Sequence, residues 1–329
     1  MKKKFNVKSL LPVLIYVIFY ALMAVLISNN ILSRSWQALL LKISYNLVLS
    51  VSLCLIVGYL GELSLGHAGF YAIGAYSGCF AATLISGPVV LQFIIGLLVG
   101  GFVAGVAGFL VSSSILRLKG DYLAIVTLAF GEALRSFLKI VPGFGGTSGL
   151  NGLPSFSTRL QSFSAFYAVV GICLFVIVRY TTSRQGRAIM SVRDNAVAAE
   201  SIGINIKMTK VQAFVVSSLF AGMAGVMLGF FKNSITPNDF TYNTSIEILV
   251  MVVLGGMGSI PGAIIATTII TALPELLRGA EQYRLIIYAV ALIIMMIVNN
   301  NPKMKSLIEQ ISPKKLLAKV KKSKVKEAE

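Results

Sequence analysis

SRQGRAIMSVRDNAVAAESIGINIKMTK, residues 183–210, is a polar and basic stretch with long apolar segments on both sides. It contains good helix formers at 196–200, and then Gly203, a residue type that commonly ends helices. The pattern predicts a short helical projection between two membrane spans, suited to serve as a docking surface. An ordinary amphipathic hairpin lying on lipid headgroups would show the same spacing. Spacing alone therefore leaves both interpretations open.

The composition places this loop in a helical membrane protein. Of the 329 residues, 56% are hydrophobic and only 12% are charged. A soluble chain of this length would need more polar surface. Apolar runs of about 20 residues, the length that crosses a bilayer, recur along the sequence. We therefore predict an all-α polytopic membrane protein with about 8–10 transmembrane helices, some of them broken by glycine or re-entrant.

The net charge of +17 is concentrated in three parts of the chain. These are a basic N-terminus (1–9), the central loop (181–210) and a lysine-rich tail (301–329). By the positive-inside rule all three are cytoplasmic, and residues 10–300 form the transmembrane domain. Topology and anionic membrane lipids explain the charge more simply than nucleic acid does, so no nucleic-acid partner is predicted.

Two glycine-rich phrases interrupt apolar sequence, GELSLGHAGF at 61–70 and GGMGSIPG at 255–262. The second lies inside an apolar block, 246–277, that is too long for one span. The lysine-rich tail can be cytoplasmic only if this block is broken into two crossings or a re-entrant pair. Interrupted helices at corresponding places in two halves are typical of inverted repeats around a central pathway. We therefore predict an inverted repeat.

Polar residues inside the apolar segments are candidates for the pathway, because burying them without a partner or a role is costly. The predicted translocation-path residues are Asn46, Glu62, His67, Thr127, Glu132, Gly256 and Gly258. For Glu62 and His67 the alternative is structural, namely capping half-helices and satisfying freed backbone groups. Glu132 and Arg135 are three residues apart on one helix face, so the alternative for Glu132 is a local ion pair.

The chain carries no motif for chemistry of its own. It has no G-x-x-x-x-G-K-[ST] nucleotide loop, so ATP-driven transport would need a separate ATPase subunit. It also has no G-x-S-x-G or H-E-x-x-H sequence, and a single histidine excludes a multi-histidine metal centre. We predict no catalytic residue and no metal site.

Several phrases together carry a resemblance to a known family. The central loop resembles the coupling loop of bacterial ABC importer permeases, and GRAIMSVRDNAVAAESIGINI (186–206) is similar to the branched-chain amino acid permease family of the LivM type. Four further phrases resemble the same family in the same order: GELSLGHAGFYAIGAY (61–76), LKGDYLAIVTLAFGEALR (118–135), GGTSGLNGLP (145–154) and VLGGMGSIPGAIIA (253–266). The family's Glu-Ala-Ala order appears here as Ala-Ala-Glu at 198–200.

The resemblance implies a permease subunit of an ATP-driven importer for branched-chain amino acids, in the bacterial cytoplasmic (inner) membrane with both termini in the cytoplasm. It implies two ABC ATPase subunits, a second homologous permease and an extracytoplasmic substrate-binding protein as partners. ATP and Mg would be bound by the ATPases, and no cofactor by this chain. The implied ATPase-coupling residues are Arg187, Arg193, Asp194, Ala198, Ala199, Glu200 and Gly203.

Two other functions stay open at this point. A related ABC permease for ribose, nucleosides, urea or amides would have the same architecture. An ATP-independent secondary transporter would need a coupling carboxylate near the membrane midplane, and Glu62 or Glu132 could serve as that group.

Overall fold

The computed structural model describes residues 7–29, 31–115, 118, 120–276, 289–290 and 293, and these residues are almost entirely helical. They confirm the predicted all-α polytopic membrane fold. The helices are α1 (Val7–Ser28), α2 (Arg34–Cys54), α3 (His67–Thr83), α4 (Val89–Ile115), α5 (Asp121–Ile140), α6 (Arg159–Thr182), α7 (Arg184–Asp194), α8 (Ala196–Ser201), α9 (Ile206–Lys232), α10 (Tyr242–Leu254) and α11 (Ile260–Leu276).

Within the described part of the chain, four stretches are long and apolar enough to cross a membrane. They are α2 with its π-helical extension Leu55–Leu60, α4, α6 and α9. The chain divides into a unit comprising residues 1–272 and a second comprising 273–329, and the contacts discussed below lie in the first. Residues 1–6 and 301–329 fall outside the described residues, so the orientation of the termini remains a prediction. Most of 277–300 falls outside them too, so the total number of spans also remains a prediction.

Helices α3, α4 and α9 form the centre of the packing, and glycines let their backbones touch. A Cβ atom added to Gly74 of α3 would overlap the backbone of Gly222 in α9. A Cβ on Gly100 of α4 would lie 2.6 Å from the carbonyl oxygen of Gly74, and one on Gly222 would lie 2.6 Å from that of Gly100. Small residues permit this close approach between membrane helices, which gain stability from backbone-level packing.

Both predicted interruptions are real breaks. The π-helical extension ends at Gly61, whose φ of +76° suits glycine, and residues 61–66, the first break, have no helical structure before α3 begins. Residues 255–259, the second break, separate α10 from α11. The apolar block 246–277 is therefore broken, as predicted. Helix α10 has 13 residues and measures about 20 Å, which is shorter than the roughly 30 Å hydrocarbon core.

The central loop and the glycine-rich loop after α5 (residues 141–158) lie at opposite ends of helix α9. The central loop folds into α7 and α8 and leads directly into α9. At the other end of α9, strand β2 (Ser234–Ile235) pairs antiparallel with β1 (Leu150–Asn151) of the glycine-rich loop. Helix α9 has 27 residues and is about 40 Å long, so it separates the two loops by the thickness of a membrane.

Candidate functional site

The first break and the start of α3 are held by hydroxyl groups from two other helices. The N–H of Leu65 donates to Oγ1 of Thr127 on α5 (3.0 Å), and the N–H of Ala68 donates to Oγ of Ser245 on α10 (3.0 Å). Thr127 and Ser245 are each 1% exposed. Backbone N–H groups freed from a helix must be satisfied inside a membrane protein, and these hydroxyls satisfy them. Thr127, predicted in the pathway, is thus a structural partner of the break.

His67 is fully buried at the first position of α3. Its Nε2 lies 2.9 Å from Oγ of Ser52 on α2. The Ser52 hydroxyl donates to the carbonyl of Leu49 (2.8 Å), which leaves its oxygen free to accept from Nε2–H. The Ser52 carbonyl accepts in turn from the Ser217 hydroxyl of α9 (2.6 Å). Nδ1 of His67 has no hydrogen-bond partner among the described residues. His67 therefore joins α3 to α2, and Ser52 joins α2 to α9.

Glu62 in the first break forms an ion pair with Lys210, in the first turn and a half of α9. The side chains are only 13% and 11% exposed, respectively. A carboxylate and an ammonium buried this far require each other as partners. The sequence showed Lys210 only as one more positive charge of the central loop. Because the two residues are 148 positions apart, no spacing rule links them.

Glu132 has two partners. Its Oε2 pairs with Arg135 at 2.7–2.8 Å, which confirms the local ion pair considered above. Its Oε1 accepts from the N–H of Tyr242, the first residue of α10, at 2.8 Å. Thr241 at the N-cap position makes no side-chain capping bond. The Glu132 carboxylate therefore serves as the cap of a half-helix from a neighbouring helix, where its negative charge also meets the positive end of the helix dipole.

Helices α2 and α11 are joined by two polar pairs one turn apart. Nδ2 of Asn46 donates to Oγ1 of Thr271 (3.1 Å), and Oγ1 of Thr267 donates to Oγ of Ser50 (2.6 Å). Such side-chain bonds link membrane helices where hydrophobic contact alone gives no preference. Asn46, predicted in the pathway, thus connects the helix of the first break to the helix that follows the second break.

The π-helical extension that leads into the first break touches the second break. A Cβ atom on Gly58, in the π-helical extension, would lie only 2.9 Å from the Cα of Gly258 in the second break. Gly258 itself has φ +83°, and Gly256 has φ +88° with open space where a side chain would be. Of the two glycines predicted in the pathway, Gly258 contacts the π-helical extension, and Gly256 faces free volume.

Three side-chain caps give the central loop its fixed shape. Ser183, Asn195 and Asn205 accept from backbone N–H groups at the starts of α7 (3.3 Å), α8 (3.0 Å) and α9 (3.0 Å). Gly203, with φ +85°, ends α8, as predicted. The sequence analysis identified the helix-forming residues and the glycine that ends α8. The three capping residues are a further sequence signal, and they define where α7, α8 and α9 begin.

The predicted coupling residues divide between two faces of the loop. Ala199 is 2% exposed and belongs to a buried cluster with Leu55, Ile56 and Ala213. The outer face carries the exposed residues Arg187, Asp194, Ala198, Glu200 and Gly203. It also carries Val197 and Ile202, which are 78% and 74% exposed. These two apolar side chains were missed in the sequence, because one valine and one isoleucine in a short helix form no pattern.

Arg193 has a different orientation. Its Nε donates to Oδ1 of Asp194 (2.9 Å), and its Nη1 donates to the carbonyl oxygen of Gly58 (3.1 Å). The side chain therefore extends from α7 towards the broken end of α2.

Comparison with known proteins gives one family and several relatives. A family described as "Branched-chain amino acid transport system / permease component" matches residues 35–299. The chain is 36% identical over 282 residues to the high-affinity branched-chain amino acid transport system permease protein LivM of Salmonella typhimurium, a match that covers 76% of this chain and 65% of that protein. The chain thus spans just under two thirds of the length of this relative.

More distant relatives carry other names. The chain is 24% identical over 294 residues to the permease protein LivH of the Escherichia coli branched-chain amino acid system, covering 81% of this chain and 93% of LivH. It is 28% identical over 278 residues to the L-arabinose ABC transporter permease protein AraH of Azospirillum brasilense, covering 82% of this chain and 78% of AraH. No solved structure matches the chain.

Proposed function

Since the chain belongs to the family of branched-chain amino acid transport permease components, we propose that it is the membrane-spanning subunit of an ATP-driven importer of branched-chain amino acids. Two ABC ATPase subunits and a second, homologous permease complete the membrane complex, and an extracytoplasmic binding protein delivers the substrate. The names of the LivM and LivH relatives support the substrate class.

The observation that carries this proposal is the outer face of the central loop. Val197 and Ile202 expose large apolar side chains at the tip of an otherwise polar projection. Burying such side chains in a partner's groove gives a favourable free energy of about 25 cal/mol per Å² of apolar surface. Arg187, Asp194 and Glu200 on the same face supply charges that orient a partner at the rim. An ATPase subunit with a complementary groove is the occupant that we propose.

The broken helices supply the second part of the mechanism. Alternating access needs segments that can change position inside the membrane without leaving backbone groups unsatisfied. The second break contacts the π-helical extension that leads into the first break. Backbone N–H groups in the first break and at the start of α3 are held by side chains of other helices rather than by continuous helix. ATP-driven closure of the ATPase pair would move the central loops, and the broken helices would change position as a result. The path residues contribute polar groups and glycine backbone, and the binding protein supplies most of the specificity.

The test is affinity purification of the tagged chain from native membranes in mild detergent, followed by mass spectrometry of the proteins that co-purify. We expect a Walker-motif ATPase, a second permease and a binding protein. Replacement Val197→Asp places a charge in the proposed apolar contact and should reduce ATPase recovery at least 30-fold, as loss of a hot spot of about 2 kcal/mol does. Arg184→Gln, at an exposed position of the same loop, is the matched control. Equal ATPase recovery from both variants contradicts the docking surface.

The similarity to AraH favours a second candidate, a permease for a sugar. Titrating the co-purified binding protein with leucine, arabinose, ribose and urea separates these substrates. An ATP-independent secondary transporter is a third candidate, but both of its candidate carboxylates, Glu62 and Glu132, are engaged in ion pairs. Uptake by the purified chain alone in liposomes, without ATP, would favour it over the ABC importer.

A further inference from the structure

Arg193 lies where three parts of the molecule meet. Besides the bond from Nη1 to the Gly58 carbonyl, its side chain packs against the first break, because a Cβ on Gly61 would lie 2.6 Å from the Arg193 Cγ. It also reaches the second break, since a Cβ on Gly258 would lie 3.7 Å from Nη1 and 3.2 Å from the Gly58 oxygen. One side chain from the central loop therefore lies beside both breaks, next to the contact between the π-helical extension and the second break.

The chemistry of this position suits arginine. Gly58 belongs to the last turn of the extended helix α2, where carbonyl groups lack partners in the helix. A cation at this end of a helix is also favoured by the helix dipole. The planar guanidinium donates to the Gly58 carbonyl through Nη1 while Asp194 holds Nε and Nη2 from the side of α7. Gly61 leaves the space that the Arg193 Cγ occupies, and Gly258 places no side chain beside Nη1.

Apolar packing also joins α7 and α8 to the π-helical extension. Ile189 and Val192 of α7 and Ala199 of α8 share a buried cluster with Leu55 and Leu60 of the π-helical extension. Helices α7 and α8 are thus packed onto the segment that leads into the first break. The Arg193 side chain extends from these packed helices to Gly258 in the second break.

We propose that Arg193 is a positioning residue that carries movement of α7 and α8 to both breaks together, rather than a contact for the ATPase. This inference rests on the proposed function. The central loop then has two separate tasks: its outer face binds the ATPase through Val197 and Ile202, and Arg193, through its bond to the Gly58 carbonyl, passes the motion to the pathway. Loss of the side chain should leave binding intact and separate ATP hydrolysis from uptake.

The test compares Arg193→Met, Arg193→Lys and the control Arg184→Gln in the reconstituted complex. ATPase recovery, ATP hydrolysis and uptake are measured for each. We expect Arg193→Met to keep ATPase recovery within about twofold of the parent while uptake per ATP hydrolysed falls at least tenfold. Arg193→Lys should restore part of that ratio, because an ammonium can also donate to the Gly58 carbonyl. Loss of ATPase recovery in Arg193→Met, parallel to that in Val197→Asp, would overturn the proposal, as would an unchanged ratio.

A second measurement tests the contact itself without any ATPase. The Cβ of Arg193 lies 3.7 Å from where a Cβ of residue 61 would be, within the range of about 3.5–4.5 Å found in disulfides. With the buried Cys54, Cys79 and Cys173 replaced by alanine, the pair Gly61→Cys/Arg193→Cys should cross-link on mild oxidation. The pair Gly61→Cys/Arg184→Cys carries the same strain at the positive φ of residue 61 and should not. Equal cross-linking in the two pairs would refute the contact even if the chain proved not to be an ABC permease.

Discussion

Removing one charge of the Glu62–Lys210 ion pair is expected to destabilise the protein strongly. Both side chains are nearly buried, at 13% and 11% exposure, so water cannot replace the missing partner. Two unit charges about 4 Å apart attract by about 4 kcal/mol at an effective dielectric constant of about 20. Breaking a buried pair from one side typically costs about 3–5 kcal/mol, because the remaining charge stays buried and unpaired. We expect this cost for Glu62→Gln and for Lys210→Met.

The double variant decides whether the pair acts as a unit. When both charges are removed, no unpaired charge remains, and such replacements are often neutral or stabilising. Glu62→Gln/Lys210→Met should therefore be more stable than either single variant. The assay is thermal unfolding in mild detergent, followed by circular dichroism at one scan rate, since unfolding of such proteins is commonly irreversible. At about 2–4 °C per kcal/mol for a large domain, each single change should lower the apparent Tm by roughly 10 °C.

The control is a more exposed ion pair of the same molecule. Lys232 contacts Asp239 with 42% of its side chain exposed, and solvent screens such a pair. Lys232→Met should therefore lower the free energy of unfolding by less than about 1 kcal/mol. If Glu62→Gln and Lys210→Met behave like Lys232→Met, or if their effects simply add in the double variant, the ion pair does not have the structural role inferred here.

The other predictions concern a cap, a helix contact and the topology. Glu132→Ala removes the acceptor for the first N–H of α10 and should lower the free energy of unfolding by about 1–2 kcal/mol. Glu132→Gln should lower it less, because the amide keeps an acceptor oxygen. Equal loss in both variants would contradict the capping role. Gly74→Ala forces a methyl group into the backbone of α9 and should lower the free energy of unfolding by an amount typical of overpacking, about 1–3 kcal/mol. Gly87→Ala, whose nearest neighbour is a side chain at 3.6 Å, should leave it unchanged. In a cysteine-free background, Ser148→Cys should react with an impermeant maleimide from outside the cell and Asn195→Cys only from inside; the reverse pattern would refute the positive-inside assignment.

Local sequence patterns predicted the features that depend on neighbours along the chain. The glycine-rich phrases at 61–70 and 255–262 indicated helix breaks, and both are present. Gly203 indicated the end of α8, and the spacing of Glu132 and Arg135 allowed their ion pair. Each of these features is decided by backbone conformation or by residues within one helical turn, which sequence periodicity describes directly.

Contacts between residues that are far apart in the sequence could not be predicted in the same way. Glu62 pairs with Lys210, Glu132 caps α10, and Arg193 bonds to the carbonyl of Gly58. Each contact depends on how two helices are rotated and shifted relative to each other, and periodicity shows which face of a helix is apolar without showing which helix it meets. In a membrane protein this limit is severe, because lipid-facing and protein-facing surfaces are both apolar.

By itself, the sequence determined that this chain is a helical membrane protein with two broken segments and an ordered polar loop, since composition, glycine placement and helix-ending residues act locally. Only the tertiary structure decided that the end of the extended helix α2 touches the second break, that hydroxyls and carboxylates of distant helices satisfy the broken backbone, and that Arg193 of the loop lies beside both breaks. The physical reason is that these contacts come from the packing of helices against one another. The effect of a glycine or a buried charge on stability depends on which residue of the neighbouring helix it contacts.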